Sequence, residues 1–437
     1  MYSLGVDIGT SGIRAVILDE QHTILAQSLS AMPSRDTGYA QNPVDWWNTF
    51  EQVIFQLAKE FQQKKKLKLN SVSRLAIDGT SGTVLLTDKA GMPCSDALMY
   101  NDPRAVLQAQ LIKTHAPENT AAIGATSGLA KLLWLFKNGQ YTNTQCQYAL
   151  NQSDWISGKL MGKFGFSDHN NALKMGYDAQ NHCWPDWLTT LLDEQQIPTA
   201  ILPEVFSPGH ILGTINSSMA RHFGFAPNLQ ICAGTTDSTA AIIASGARKP
   251  GEAITSLGST LVMKVISEQP IFDQQSGVYS QPYGDLWLVG GSSNSGGEVL
   301  KQYFSLQELS QFTELLNISI AQKQFSMLNL DYYPLSSPGE RFPIQDSNFL
   351  PRLTPKPEQD IQFFQALLEG MADIEKLAYQ RLLELGAPYP KLVKSIGGGS
   401  FNTAWSYIRE QKLGVPVLLA DQEQAAAGSA ILAQTNN

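Results

Sequence analysis

Three kinds of residue cluster in this chain form patterns suited to phosphate chemistry. The first is Asp7-x-Gly9-Thr10-Ser11-Gly12. A turn of glycine, threonine and serine offers backbone N–H groups and hydroxyls with little bulk, so it can wrap a phosphate without a full positive charge. Asp7, just before that turn, is a hard oxygen donor of the kind Mg²⁺ takes, here most simply through water. The second is Gly234-Thr235-Thr236-Asp237-Ser238-Thr239-Ala240-Ala241, where a loop enters an apolar run of small residues. Asp237 reads there either as a helix N-cap or as a catalytic carboxylate. The third is a set of glycine clusters: Gly258-Ser259-Thr260, residues 290–297 with Gly296-Gly297 at their end, and Gly397-Gly398-Gly399-Ser400-Phe401-Asn402. The last two precede helix-like runs, and helix N-termini behind glycine are natural anion sites. Each stretch alone also fits an ordinary turn, but three in one half of the chain are hard to explain as spacers. No G-x-x-x-x-G-K-[ST] run occurs, and no G-x-G-x-x-G follows a strand at dinucleotide spacing, so neither nucleotide motif applies.

The elements that must carry these residues follow from periodicity. Leu4, Val6 and Ile8 alternate, residues 9–12 turn the chain, and residues 15–18 return it, which predicts a tight hairpin. A helix is predicted from Pro43, with Asn42 as cap and Trp46, Phe50, Val53, Leu57 and Phe61 at helical spacing. Lys64-Lys65-Lys66 reads as its solvated end. Leu75-Ala76-Ile77 enters Asp78-Gly79-Thr80-Ser81-Gly82-Thr83 and Val84-Leu85-Leu86 leaves it, a second strand–turn–strand unit. Residues 253–263 form a third, with Gly258-Ser259-Thr260 standing where Gly9-Thr10-Ser11 stood. That recurrence points to two domains of related topology joined near residues 246–251. A long amphipathic helix over 361–385 stops at Gly386 with Pro388 beyond, and residues 424–434 read as an Ala-rich helix. Alternating strands and helices favour an α/β fold.

Composition bounds the reading. A chain of 437 residues suggests two or three domains. Its 43% hydrophobic and 16% charged content excludes a disordered chain, a coiled coil and a fibrous repeat. Lys and Arg total 31 against 39 Asp and Glu, and the resulting charge of -8 counts against a nucleic-acid binder. Cys94, Cys146, Cys183 and Cys232 form no C-x-x-C pair, which fits a reducing compartment, and the histidines form no zinc motif. Neither a signal peptide nor a run of about 18 apolar residues is visible. The expectation is a cytoplasmic enzyme that neither binds nucleic acid nor spans a membrane, either monomer or homodimer.

Four stretches in order carry a resemblance to the FGGY family of carbohydrate kinases. They are Asp7-Ile8-Gly9-Thr10-Ser11, Gly234-Thr235-Thr236-Asp237, Leu257-Gly258-Ser259-Thr260, and a tail. That tail runs Gly397-Gly398-Gly399-Ser400-x-Asn402, Gly414-Val415-Pro416-Val417, then Glu423-x-Ala425-Ala426-Ala427-Gly428-Ser429-Ala430. Within the family the chain is similar to a short branch of cyanobacterial and plant kinases acting on D-ribulose. Residues 76–86, His169-Asn170-Asn171-Ala172-Leu173-Lys174-x-Gly176-Tyr177 and Asp331-Tyr332-Tyr333-Pro334-Leu335 carry that likeness.

The resemblance implies two actin-like, ribonuclease-H-like (ASKHA) domains with a catalytic cleft between them. It implies a sugar-binding domain over 1–245, with a C-terminal helix at about 421–437 packing back, and an ATP-binding domain over 246–420. It implies ATP and Mg²⁺, and a pentulose acceptor, D-ribulose or alternatively D-xylulose, with a non-kinase ATP-binding switch on the same fold as the rival reading. Asp237 matches the family's general base and Asp7 its metal-associated, substrate-facing acid. Thr10, Ser11 and Gly12 match the γ-phosphate turn, Gly258 and Ser259 the second phosphate hairpin, and Gly296, Gly398, Gly399 and Asn402 the adenosine side. Thr80 and Ser81 occupy the substrate turn, and Tyr100-Asn101-Asp102-x-Arg104 resembles a Trp-Asn-Asp-x-Arg segment, which makes Asp102 a substrate contact. Thr-Ser stands where the polyol kinases of the family carry Arg-Glu, which argues against glycerol and for a neutral ketose. Arg104, Arg14 and Lys131 read either as cleft charges or as surface ion pairs, and Asp168 either as a substrate contact or as a loop cap.

Overall fold

Apolar residues alternating from Tyr2 form β1 (Tyr2–Ile8), which pairs antiparallel with β2 (Gly12–Leu18), and β2 in turn pairs antiparallel with β3 (Ile24–Ala31). In the computed structural model, residues 1–34, 38–117, 119–139 and 145–435 are described. The chain divides into two units, Met1–Ala244 with Gln424–Asn437, and Ser245–Glu423.

In the first unit α1 (Pro43–Lys65) begins where the Asn42 side chain accepts the Val44 N–H at 2.9 Å, with Pro43 in the first turn. Its Trp46, Phe50, Val53, Leu57 and Phe61 are fully buried against the sheet, while Lys64 and Lys65 are exposed. β4 (Val72–Gly79) runs parallel to β1. Three helices follow that later carry site residues: α2 (Gly128–Asn138), α3 (Gln152–Met161) and the single turn α4 (His169–Ala172). The chain then adds β5 (Ile211–Thr214), β6 (Gln230–Cys232) and β7 (Thr235–Thr236), and enters α5 (Asp237–Ala244). The sheet order is β5-β6-β4-β1-β2-β3, with β7 also pairing β4. One expectation changes here. The strand after the Thr80–Thr83 turn, Leu85–Thr87, pairs with Tyr148–Leu150 and not with β4. β4 has no free edge to accept it, since β1 lies on one side and β6 and β7 on the other. The turn therefore leads out of the sheet, where the first hairpin folds back into it.

The second unit repeats the plan. β8 (Glu252–Leu257) pairs antiparallel with β9 (Leu261–Ser267) through the Gly258–Thr260 turn, and β10 (Tyr279–Tyr283) and β11 (Leu286–Ser293) extend that side. Helices α6 (Gly297–Tyr303), α7 (Leu306–Ala321) and α8 (Asp360–Glu384) follow, then β12 (Leu392–Ile396), α9 (Thr403–Leu413) and β13 (Val417–Leu419). The order is β10-β11-β9-β8-β12-β13, with β12 parallel to β8 and β13 parallel to β12. As in the first unit, the leading strand is antiparallel to its hairpin partner on one side and parallel to a later strand on the other. The recurrence seen in two hairpins is thus a recurrence of whole sheets.

The last helix, α10 (Ala425–Leu432), belongs to the first unit and lies against β1 and α5. The approach demands glycine: a Cβ on Gly5 would stand 1.9 Å from the Ala426 carbonyl oxygen, and one on Gly428 would stand 1.8 Å from that of Ala240. β1 is buried on both faces as a result, with α1 among the elements covering one and α10 among those covering the other. Among the described residues, no helix is long and apolar enough to cross a membrane.

The second unit is pinned by a buried ion pair under its hairpin. Arg409 on α9 donates to both Glu375 oxygens on α8, at 2.6 and 2.8 Å, and to the Ser395 hydroxyl on β12 at 2.7 Å. Thr255 on β8 hydrogen-bonds Glu375 and the Tyr379 hydroxyl, so two strands and two helices share one network. Breaking a buried pair leaves an uncompensated charge, costing about 3–5 kcal/mol, whereas replacing both partners by apolar residues is often neutral. Arg409→Met is accordingly expected to destabilise the second unit by about that amount, and the Arg409→Met/Glu375→Leu double variant to recover most of it. Denaturant unfolding of the single and double variants checks this.

Candidate active site

Strand register brings three carboxyls to one end of the first unit's sheet. Asp7 on β1 is the register partner of Asp78 on β4, and Thr235 and Thr236 of β7 pair with Asp78 and Gly79, so Asp237 emerges beside them. Asp7 and Asp78 are buried and Asp237 is half-buried. Asp78 accepts a 2.6 Å hydrogen bond from the Ser429 hydroxyl on α10. Its carboxyl is held well above the ordinary range by burial and by the charges of Asp7 and Asp237. Asp7 is also raised by burial, while its hydrogen bond with Asp78 and the Arg14 guanidinium, 3.9 Å away, pull it back. Two adjacent carboxyls cannot both ionise cheaply. The fully enclosed Asp78 is pushed well above its ordinary range, while Arg14 and the Asp78 contact draw Asp7 back.

Asp237 opens α5 without capping it. An N-cap side chain accepts from the N–H two or three residues on, whereas Asp237 accepts that of its neighbour Ser238 at 2.6 Å. Thr236, the residue before the helix, instead bonds the Thr239 hydroxyl at 3.0 Å. Burial pushes the Asp237 carboxyl up to about 6, aided by Asp7 and opposed by the Ser238 N–H and the Lys174 charge. Of the two readings open in the sequence, the N-cap is not what the structure shows.

The substrate turn divides its labour. The Thr80 hydroxyl is buried and engaged, donating to Gln152 Oε1 at 2.6 Å and lying 2.6 Å from the Thr83 hydroxyl, so Thr80 holds the turn together. Ser81 is half-buried, and its carbonyl accepts from Lys174 Nζ at 3.3 Å. Lys131 on α2 lies outside the surface ion-pair reading. It is fully buried, and its Nζ donates to the carbonyls of Gly82 at 2.7 Å and Met99 at 2.6 Å, tying the turn to the Tyr100–Arg104 segment. Burial, with Lys174 nearby, pushes Lys131 down to about 7, Asp102 acting against the shift. Asp102 is also fully buried, and accepts from the Arg104 backbone N–H at 3.1 Å and from Arg104 Nε at 2.9 Å. Arg104 lies over the Trp134 ring, 4.9 Å from its centroid. Asp168 is a cap, accepting the Asn170 and Asn171 N–H groups at 2.8 and 3.0 Å.

The phosphate-type loops differ between units. Thr10 and Ser11 are exposed at the first hairpin, where the Gly9 N–H donates to the Gly12 carbonyl at 3.0 Å and Gln41 Nε2 donates to that of Thr10 at 3.0 Å. A cavity of about 190 Å³ opens beside them, lined by Thr10, Met32, Gln41, Trp46, Met99 and Asn101 among others. In the second unit the three glycine clusters converge on one hairpin. The Gly297 and Glu298 N–H groups donate to the Gly258 and Ser259 carbonyls at 2.9 and 3.2 Å. Gly296 is needed there, since a Cβ would stand 2.6 Å from the Ser259 oxygen. The α6 N-terminus therefore braces the hairpin with these two N–H groups. Ser259 and Gly398 are exposed, and Gly399 packs on Leu257 and Trp405. Asn402 caps α9 by accepting the Trp405 N–H at 2.9 Å, and donates to the Thr313 hydroxyl at 3.0 Å. No carboxyl takes the places of Asp7 and Asp78 here: Ser256 stands two residues before Gly258, and its register partner is Ile396.

Sequence reading passed over Asp78 and Lys174 as chemical groups. The signal for Asp78 was present, because Asp78-Gly79-Thr80-Ser81-Gly82 echoes Asp7-x-Gly9-Thr10-Ser11-Gly12. Lys174 had none, because only the fold brings it to Ser81.

Models of the FGGY family of carbohydrate kinases match both halves of the chain, the N-terminal domain over residues 2–244 and the C-terminal domain over 253–436. A xylulose kinase of Staphylococcus epidermidis is 23% identical over 98% of this chain and 87% of its own length, and one of Bacillus subtilis is 23% identical over 99% and 87%. Among solved structures, a kinase from Brucella ovis described as a xyloylose kinase superposes with a TM-score of 0.84 at 21% identity, covering 99% of this chain and 90% of its own. A gluconate kinase from Lactobacillus acidophilus superposes with a TM-score of 0.83 at 20% identity, covering 99% and 88%. With both domain models matched in order over nearly its whole length, the chain belongs to the FGGY family of carbohydrate kinases.

Proposed function

We propose that this ATP-dependent sugar kinase phosphorylates a pentulose, D-ribulose above others, at its C5 hydroxyl, with Asp237 as general base. The observation that carries the reading is the gathering of Asp237, Asp7 and the Ser81 turn at one sheet end of a single unit. The hydroxyl and amide character of the turn favours a neutral ketose. D-xylulose is the second reading, favoured by the relatives named xylulose kinases.

In the reaction, the sugar oxygen forms a bond to the γ-phosphorus as the bond to the β,γ-bridging oxygen breaks and ADP departs. The hydroxyl proton passes to the Asp237 carboxylate late in the transition state, when the oxygen has become acidic enough to give it up. Transfer of this kind depends mostly on positioning and charge stabilisation. The Thr10 and Ser11 hydroxyls and the hairpin N–H groups would receive phosphoryl oxygens in the first unit. Gly258, Ser259, Gly398 and Gly399 would hold the nucleotide in the second, with Asn402 framing that loop.

Magnesium fits the residues present. Among the described residues no three His, Cys, Asp or Glu side chains gather to form a cage, and Mg²⁺ characteristically takes one or two carboxylates, keeps several waters and binds substrate phosphates. Asp7 would hold it, an all-oxygen donor set that suits a hard cation and not a softer metal. When bound, the ion neutralises phosphate charge.

A coupled assay of sugar-dependent ADP release across D-ribulose, L-ribulose, D-xylulose, L-xylulose and glycerol is expected to give the highest kcat/KM with D-ribulose. A response to glycerol alone would sink the turn argument. Asp237→Ala is expected to lower kcat at least ~10²-fold, the low end of general-base contributions, with KM for ATP retained. The base works as its anion, so activity is present above the Asp237 pKa of about 6 and lost as pH falls through it. A pH–rate profile flat down to pH ~4, the ordinary carboxylate range, would contradict that environment.

A further inference from the structure

Lys174 is the cation whose charge reaches Asp237 from the side of the substrate turn. Its Nζ donates to the Ser81 carbonyl at 3.3 Å, and its charge acts on both Asp237 and Lys131. An ammonium carries three N–H donors, and among the described residues the Ser81 oxygen is the protein acceptor hydrogen-bonded to it. The side chain is half-buried, where a donor without a partner is costly. The geometry leaves donors open to a ligand lying beside Asp237.

The lysine is held in that place. It sits on the 3₁₀ turn Leu173–Met175, which continues directly from α4. Asp168 caps α4, and Asn170 Nδ2 donates to the Thr235 hydroxyl at 3.0 Å, two residues before Asp237. Lys174 and Asp237 therefore share one frame. Where the lysine stem crosses the substrate turn, the chain carries Gly82 at φ +86°, and a Cβ there would stand 2.9 Å from Lys174 Cδ. Deeper in, Lys131 already occupies the Gly82 and Met99 carbonyls, and its like charge disfavours a more buried position for Lys174.

Resting on the sugar-kinase reading of this unit, we propose that Lys174 is a substrate-positioning residue that donates to an oxygen of the bound pentulose beside the hydroxyl deprotonated by Asp237. Its second effect is electrostatic. The charges acting on Asp237 are those of Asp7 and Lys174, and behind Lys174 stand Lys131, Asp102 and Arg104. Removing the Lys174 charge leaves Asp237 facing Asp7 without its opposing cation.

The test compares wild type with Lys174→Met and Lys174→Arg on the sugar that wild type accepts best. Lys174→Met is expected to raise KM for the sugar roughly 10- to 100-fold, the range for losing a charged hydrogen bond, with KM for ATP and the melting temperature unchanged. The acidic limb of its kcat/KM profile is expected to move to higher pH, and Lys174→Arg to restore that limb. A folded Lys174→Met with wild-type sugar KM and an unmoved acidic limb overturns the proposal alone. A wild-type enzyme that phosphorylates no sugar overturns the kinase reading and this proposal together. If Lys174→Met does not fold, Lys174→Gln decides by the same two readouts.

Discussion

Burying a carboxylate is costly, and placing several at neighbouring strand ends compounds the cost, because each charge disfavours the next. Asp7, Asp78 and Asp237 face that constraint together. The fold answers it unequally. Asp78 is enclosed and held well above the ordinary range, with Ser429 donating to it from a helix at the far end of the sequence. Arg14 draws Asp7 back toward its anion, and Lys174 and the Ser238 N–H do the same for Asp237. One enclosed carboxyl and two placed cations thus ease the crowding at one sheet end.

The rest of the first unit serves that arrangement. Parallel pairing of β1 with β4 sets Asp7 against Asp78, and pairing of β7 with β4 delivers Asp237. α10 must come close to supply Ser429, which is why Gly5 and Gly428 face backbone across that contact. The second unit has the same sheet plan without the acids. Its glycine clusters brace a neutral hairpin suited to phosphate oxygens, over a buried Arg409–Glu375 pair. One fold in two copies carries different groups at the ends of its leading strands. The net charge of -8 is compatible with a nucleotide site, since backbone dipoles and hydroxyls can hold phosphates with little need for Lys or Arg.

Much of this was legible in the sequence. The hairpins, α1 with its Asn42 cap and the long helix announced themselves through periodicity and capping residues, the last within one residue at each end. Asp7 and Asp237 stood out because their neighbours are small and polar. What could not be read depended on long-range pairing. Leu85–Thr87 looked like the return of a hairpin until the occupied edges of β4 excluded it. Lys131 could be read either as a cleft charge or as a surface ion pair, since nothing local marks a lysine whose acceptors are carbonyls distant in the chain. Thr80 looked like a substrate ligand, yet its hydroxyl is engaged by Gln152 on another element.

In the proposed reaction an ionised Asp237 stands beside the C5 hydroxyl of a pentulose. Phosphorus-31 NMR of the product formed from D-ribulose and ATP tests this most directly. The expected result is a single phosphomonoester resonance split by two protons that correlate with C5 and not with C1, growing in step with ADP. Inorganic phosphate with no ester, or an ester on C1 or on a secondary hydroxyl, would contradict it.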